Sequence, residues 1–218
     1  VLLESSGGKT GITATDLEIQ IRTEGESGGA EAFRFTTNAK KLQDILRALP
    51  ENADVQLDLT EHRLTLKSGK ARFNLQTLPA EDFPAMNIAE GADISFSLPQ
   101  EQLKHMISQV QYSMAVQDIR YYLNGLLLQT EGSQLRLVAT DGHRLAFVSA
   151  DIDADLPKQE VILPRKTVLE LVKLLNQPKE SVSVELLDRQ VRFRLNGADI
   201  VSKVIDGKFP DYNRVIPL

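Results

Sequence analysis

The chain has 218 residues, 42% of them hydrophobic and 25% charged, which is enough for one or two globular domains that each bury a core. It has no cysteine, which excludes disulfides, thiolate nucleophiles and cysteine-based zinc sites and fits a reducing, cytoplasmic setting. The net charge of −5 argues against indiscriminate nucleic-acid binding but leaves the charge distribution open; no apolar run reaches the roughly 20 residues of a membrane span, and no signal peptide is visible.

The first stretch, "VLLESSGGKTGITATDLEIQIRTEG" (1–25), alternates as strands do, with Gly7 and Gly8 placed to turn a hairpin. Its Gly8-Lys9-Thr10 is not a phosphate loop: the position five before Gly8 holds Leu3, and a strand rather than a helix follows. Next, "FRFTTNAKKLQDIL" reads as a strand, a polar corner and a helix over 38–49. Asn38 serves as the N-cap, Leu42, Ile45, Leu46 and Leu49 face inward, and Lys40 and Arg47 face out. Alternating strands follow over 55–78, with His62 at a hairpin end. A second helix over 99–115 buries Leu103, Met106, Ile107, Val110 and Met114 and exposes Lys104 and His105. Arg120, Tyr121 and Tyr122 lie where this helix gives way to a strand, and "LNGLLLQTEGSQLRLVAT" predicts strand segments with a turn between them. The third helix, over 164–177, has Val168, Leu171, Val172 and Leu175 on one stripe and Lys166 and Lys173 on the other, with Pro164 as a first-turn proline. Three more strands and "GKFPDYNRVIP" (207–217) complete the chain.

The chain repeats itself. Ala-Thr-Asp triplets end at Asp16 and Asp141, 125 positions apart; Lys40-Lys41 and Arg165-Lys166 share that offset, and Pro84 and Pro210 lie 126 apart. Inside this period is a β-α-β-β-β unit of roughly 60 residues, complete three times. Only the strands of an earlier unit precede them, so the chain is expected to begin inside a domain, with about 30 residues missing if the first repeat equals the second. The three helical segments together carry +4 and the remainder −9. A cationic helical surface and an anionic sheet surface would let an acidic protein hold a phosphate backbone on one side; lysines scattered on solvated helix faces would give the same sum.

"VATDGHRLAF" (138–147) gathers Thr140, Asp141, His143 and Arg144. A hydrolase would use Asp141 to orient His143, but the sequence has no Gly-x-Ser-x-Gly elbow. His62, His105 and His143 are its only histidines, none in a zinc-like cluster, so neither metal nor cofactor is expected. The counterpart "ATDLE" (14–18) keeps Thr-Asp but lacks Gly-His-Arg. Thr-Asp is therefore the turn framework, and Gly142, His143 and Arg144 are a binding surface added to one copy.

In "YYLNG", "VATDGHRLA", "PRK" and "GKFPDYNRVIP", taken in this order, the sequence resembles the bacterial DNA polymerase III beta subunit family, the sliding clamps, collinearly over all 218 residues. The resemblance implies an α+β DNA clamp fold with tandem domains of two β-α-β-β-β units each, helices on one face and antiparallel sheets on the other. It implies most of a first domain over 1–90, a whole second domain over 91–218, and no third domain. It implies no enzymatic activity but a processivity factor, a homodimeric ring when full length, around duplex DNA. Partners would be the polymerase III catalytic subunit, the clamp loader and other proteins that carry a clamp-binding motif. They would insert a peptide at Arg120, Tyr122, Leu123, Thr140, Gly142, His143, Arg144, Leu145, Pro210, Arg214 and Val215. DNA-facing positions match Lys40, Lys41, Gln117, Tyr121, Tyr122, Lys166 and Lys173, and a dimer edge matches Phe73 and Leu75. The alternatives are a hydrolase using Asp141 and His143, or a peptide-binding module without DNA.

Overall fold

The computed structural model describes residues 1–29 and 31–216. It divides into two compact units, Val1–Met86 and Asn87–Leu218. No helix in it is long and apolar enough to cross a membrane.

The first unit is a seven-stranded antiparallel sheet in the order β5-β6-β7-β4-β1-β2-β3. Its strands are β1 (Leu2–Ser6), β2 (Lys9–Thr15), β3 (Ile19–Glu26), β4 (Phe33–Thr37), β5 (Gln56–Thr60), β6 (Arg63–Ser68) and β7 (Ala71–Pro79). Ser6 pairs with Lys9 across Gly7 and Gly8, both at positive φ, so the glycine pair closes a tight hairpin. Helix α1 (Ala39–Ala48) starts at Asn38, whose side chain accepts the Lys41 N–H at 2.9 Å. Leu42 enters the core formed by Leu3, Phe35, Leu64, Leu66 and Leu75, and Ile45 and Leu49 pack at its edge. Leu46, expected inside, is 40% exposed, because a helix turns about 100° per residue and the narrow stripe through 42, 45 and 49 leaves position 46 at its margin.

The second unit holds a four-stranded sheet in the order β13-β12-β11-β8 and a two-stranded ribbon, β9 with β10. Its strands are β8 (Ile94–Pro99), β9 (Gly125–Thr140), β10 (Leu145–Pro164), β11 (Ser181–Leu187), β12 (Gln190–Leu195) and β13 (Ala198–Lys203); its helices are α2 (Gln100–Val110) and α3 (Arg165–Leu174). Leu103, Met106, Ile107 and Val110 of α2, and Val168, Leu171 and Leu175 at α3, are buried as the helical spacing predicts, and Met114 is buried just beyond α2. Pro164 stands at the N-cap position, one residue before the first helical turn.

The turn predicted inside 125–140 is absent. β9 runs straight through Glu131-Gly132-Ser133 and stays paired with β10 on both sides, from Gly125↔Pro164 to Thr140↔Leu145. Gly132, at φ 57°, lies opposite Leu156, where the register shifts. A glycine at positive φ in a strand marks a bulge as readily as a turn, and here the ladder favours the bulge. The two repeats of this unit therefore share their strands rather than meeting at a linker.

Candidate functional site

A concavity of about 590 Å³ lies within the second unit and collects ten of the eleven predicted pocket residues: Arg120, Tyr122, Leu123, Thr140, Gly142, His143, Arg144, Leu145, Pro210 and Val215. Three segments far apart in sequence form it. A short turn, Tyr121–Leu123, brings Tyr122 and Leu123; the β9–β10 turn brings residues 140–145; the segment after β13 brings residues 209–216. Beneath them Leu127, Val138, Ile162, Phe209 and Tyr212 are buried together, with Tyr122, Leu145 and Ile216 packed on top.

Sequence reading missed Phe209, Asp211, Tyr212 and Ile216, which also line the pocket. Phe209 and Tyr212 were legible as aromatics in "GKFPDYNRVIP". Nothing local indicated that they turn inward, because the strands they cover are over 40 residues away in sequence. The Tyr212 hydroxyl donates to Gln129 Oε1 at 2.6 Å and its ring packs at 5.7 Å on Phe147; burial raises the phenol pKa. Arg214 is absent from the lining; its Nε donates to Asp211 Oδ2 at 3.0 Å and its side chain is mostly exposed. Pro217, the end of that motif, lies outside the described residues.

The β9–β10 turn is built by two side chains. Thr140 Oγ1 donates to the Arg144 carbonyl at 2.7 Å and accepts from Gly142 N–H at 3.1 Å. Asp141 Oδ1 accepts the His143 and Arg144 N–H groups at 2.9 and 3.0 Å, and Oδ2 accepts from Arg144 Nε at 3.0 Å. These donors hold the Asp141 pKa below its usual value. A carboxylate engaged in this way fixes backbone; it does not orient the His143 imidazole for proton transfer. Gly142 has φ 88°, and a Cβ there would sit 2.8 Å from Arg120 Nη1. The Arg120 guanidinium therefore lies flat against a residue that only glycine suits. It is held by Asp118 through Nε to Oδ1 at 3.0 Å and Nη2 to Oδ2 at 2.8 Å, and it donates to the Asp141 carbonyl at 3.2 Å. Arg120 in turn lowers the Asp118 pKa to about 2.

Of the predicted DNA-facing residues, Gln117, Lys166 and Lys173 line one shallow hollow with Arg165 and Asn124. Lys173 Nζ pairs there with Glu170 Oε1 at 2.9 Å. Tyr121 is exposed beside Gly207, while Tyr122, edge-on to it at 5.8 Å, belongs to the pocket. Lys40 and Lys41 are exposed on α1 of the first unit. Phe73 and Leu75 are both on β7, but Leu75 is only 4% exposed and belongs to the core. Side chains alternate along a strand, so positions 73 and 75, two apart, share a face, and Phe73 is itself half-buried against that core. What β7 offers over 71–76 is backbone: on the side away from β6 it has no strand partner in its unit among the described residues.

The family model for the N-terminal domain of the DNA polymerase III beta subunit matches residues 1–87, and the model for its central domain matches residues 97–211. The chain belongs to the DNA polymerase III beta subunit family. It is 43% identical over 218 residues to the beta sliding clamp of Salmonella typhimurium, covering 100% of this chain and 59% of that protein. Its fold matches the crystal structure of the Pseudomonas aeruginosa DNA polymerase III subunit beta with a TM-score of 0.95 at 41% identity, over 100% of this chain and 60% of that one. A second Pseudomonas aeruginosa clamp, bound to griselimycin, matches with a TM-score of 0.93 at 40% identity, over 100% and 59%. The chain thus spans about three fifths of the length of these clamps, and its α+β clamp fold is that of the family.

Proposed function

We propose that this chain is the first-domain and second-domain part, 1–90 and 91–218, of a DNA polymerase processivity clamp that acts by binding and not by turnover. The observation that carries the reading is the pocket: residues from three distant segments converge on one apolar-floored concavity with a polar rim, the shape that anchors a short peptide by a few buried side chains. In the full-length homodimer, with the β7 edge as part of the contact, the ring encircles duplex DNA in the cytoplasm. Lys40, Lys41, Gln117, Tyr121, Lys166 and Lys173 meet the duplex through contacts that carry no sequence information. The pocket holds the polymerase III catalytic subunit, the clamp loader and other partners by their tail peptides, so a released polymerase end rebinds at high effective concentration.

The test is a crystal of the protein with a peptide copied from the C-terminus of a bacterial polymerase III catalytic subunit. Apolar peptide side chains should lie over Leu123, Leu145, Phe209 and Tyr212, and His143→Ala should weaken binding by roughly ten-fold. Density elsewhere, or an unchanged Kd, refutes the assignment. Charge reversal at Lys40, Lys41 and Lys166 should lower DNA retention while leaving peptide affinity intact; a peptide module without DNA would show no such loss.

A further inference from the structure

The duplicated frame closes one strand edge in the first unit and leaves it open in the second. β4 pairs with β1 on one side and with β7 on the other, the latter through Phe35↔Pro79, Thr36↔Leu78 and Thr37↔Thr77. Its counterpart 125 positions on is the 158–162 stretch of β10, which pairs with β9 alone among the described residues. The strand that would cover it, β13, ends at Lys203. The chain beyond is held from its far side: Val204 N–H donates to the Arg189 carbonyl at 3.1 Å, and Asp206 pairs with Arg189 at 2.8 Å. It reaches β10 where the Ile205 N–H donates to the Ile162 carbonyl at 2.9 Å. Between the two lies a groove of about 710 Å³, with Val161, Leu187, Val204, Ile205 and Phe209 among its walls. The register fixes which backbone groups face it. Arg165 N–H donates across the ribbon to the Asn124 carbonyl, whereas the Ile162 carbonyl is taken from the opposite side. Backbone groups alternate sides along a strand, so the N–H and C=O of Glu160, like the Ile162 carbonyl, point away from β9 and toward the groove. Among the described residues no backbone group bonds to either of them. The same position in the first unit is Phe35, whose backbone lies between β1 and β7.

We propose that this open edge takes a strand from a partner protein. Residues flanking the anchor held in the peptide pocket lie extended along β10 and pair with the Glu160 backbone. The proposal rests on the peptide-pocket reading above and adds a second, separate docking site to it. Two observations choose this occupant. A backbone donor and acceptor left open beside an apolar wall is the chemistry that recognises an extended chain, by strand addition, rather than a small ion or a folded surface. Phe209 is a wall of both the groove and the pocket. The two sites are therefore neighbours across one ring, and a few extended residues at about 3.3 Å each pass from one to the other. A feature that one copy of a duplicated frame opens and the other closes is where a function is added without a change of fold.

The experiment compares two peptides by fluorescence anisotropy: the polymerase tail peptide, and the same peptide lengthened at each end by about eight residues of the partner's own sequence, enough to span the groove. The long peptide should bind about ten-fold more tightly. It alone should slow amide exchange over 158–162, read by mass spectrometry. Glu160→Pro removes the outward N–H and costs no bond to β9. It should reduce the gain to less than about two-fold and leave the short peptide's Kd unchanged. A long peptide N-methylated through its flanks has no donors for the edge and should bind the unsubstituted protein as the short one does. Equal affinities of the long and short peptides, or a gain that survives both Glu160→Pro and N-methylation, overturns the proposal and leaves the pocket in place. Binding by neither peptide overturns the pocket reading and the proposal together. The Glu160 side chain accepts from Gln129 Nε2 at 2.7 Å, and Gln129 Oε1 accepts from Tyr212 in the pocket floor. Should Glu160→Pro therefore weaken the short peptide as well, the N-methylated peptide decides: retention of the long peptide's gain overturns the proposal, and its loss supports it.

Discussion

The two Thr-Asp turns of the molecule, one per repeat, are the same object with different outcomes. Thr15 Oγ1 donates to the Ile19 carbonyl at 2.9 Å and accepts from Leu17 N–H at 3.0 Å, while Asp16 Oδ1 accepts the Glu18 and Ile19 N–H groups at 3.0 and 2.9 Å. Thr140 and Asp141 make the same four bonds to Gly142, His143 and Arg144. Even the left-handed residue is retained, at φ 77° for Leu17 and 88° for Gly142. The hydrogen-bonded frame is thus common to both copies, and what differs is what it displays. Leu17 projects into solvent, 53% exposed. Gly142 has no side chain, which lets Arg120 close over it. A duplicated frame can change its surface without changing its fold.

Substitutions can break this comparison. The largest effect is expected from Gly142→Ala, where a methyl group would meet the Arg120 guanidinium at 2.8 Å on a left-handed backbone. Peptide affinity should fall by ten-fold or more, with a stability loss of about 1–2 kcal/mol in urea titrations. Next come Thr15→Val and Thr140→Val, each of which removes two hydrogen bonds and should cost about 1–2 kcal/mol. Only the change at Thr140 should also weaken peptide binding; equal peptide affinities would show that the turn does not shape the pocket. Leu17→Gly should leave peptide affinity untouched and stabilise the protein by up to about 1 kcal/mol, by relieving a left-handed non-glycine. The smallest effect is electrostatic. Asp118 has its pKa lowered from 3.8 to about 2 by Arg120, so its contribution is complete above about pH 4 and disappears as pH falls toward 2. Acid titration followed by circular dichroism should show a shallower fall over that window for Asp118→Asn than for the unsubstituted protein.

Much of this was legible in the sequence because it is written locally. The Asn38 cap, the Leu103-Met106-Ile107-Val110 stripe and the Gly7-Gly8 hairpin each depend on residues within one or two turns, where periodicity and backbone preference act directly. The Thr-Asp frame was legible for a different reason: comparing the two copies separated scaffold from addition. Features decided by distant partners were not legible. Gly132 is equally good chemistry for a turn and a bulge, and only the ladder to β10 chooses. The resemblance matches Leu75 to a dimer edge, and only its neighbours Leu64 and Leu66 show that its side chain is core. Phe209 and Tyr212 declare their size in the sequence but not the direction in which they turn.

The ribbon of β9 and β10, 16 and 20 residues long and paired on both sides of the register shift at Leu156, has a mechanical consequence. Both repeats of the second unit are threaded on the same two strands, so neither has a seam along which to come apart. Amide protons of β8 and β11, at one edge, and those of 134–140 in the ribbon should therefore exchange in a single opening event, and a loop spliced in at Gly132 should loosen both halves at once.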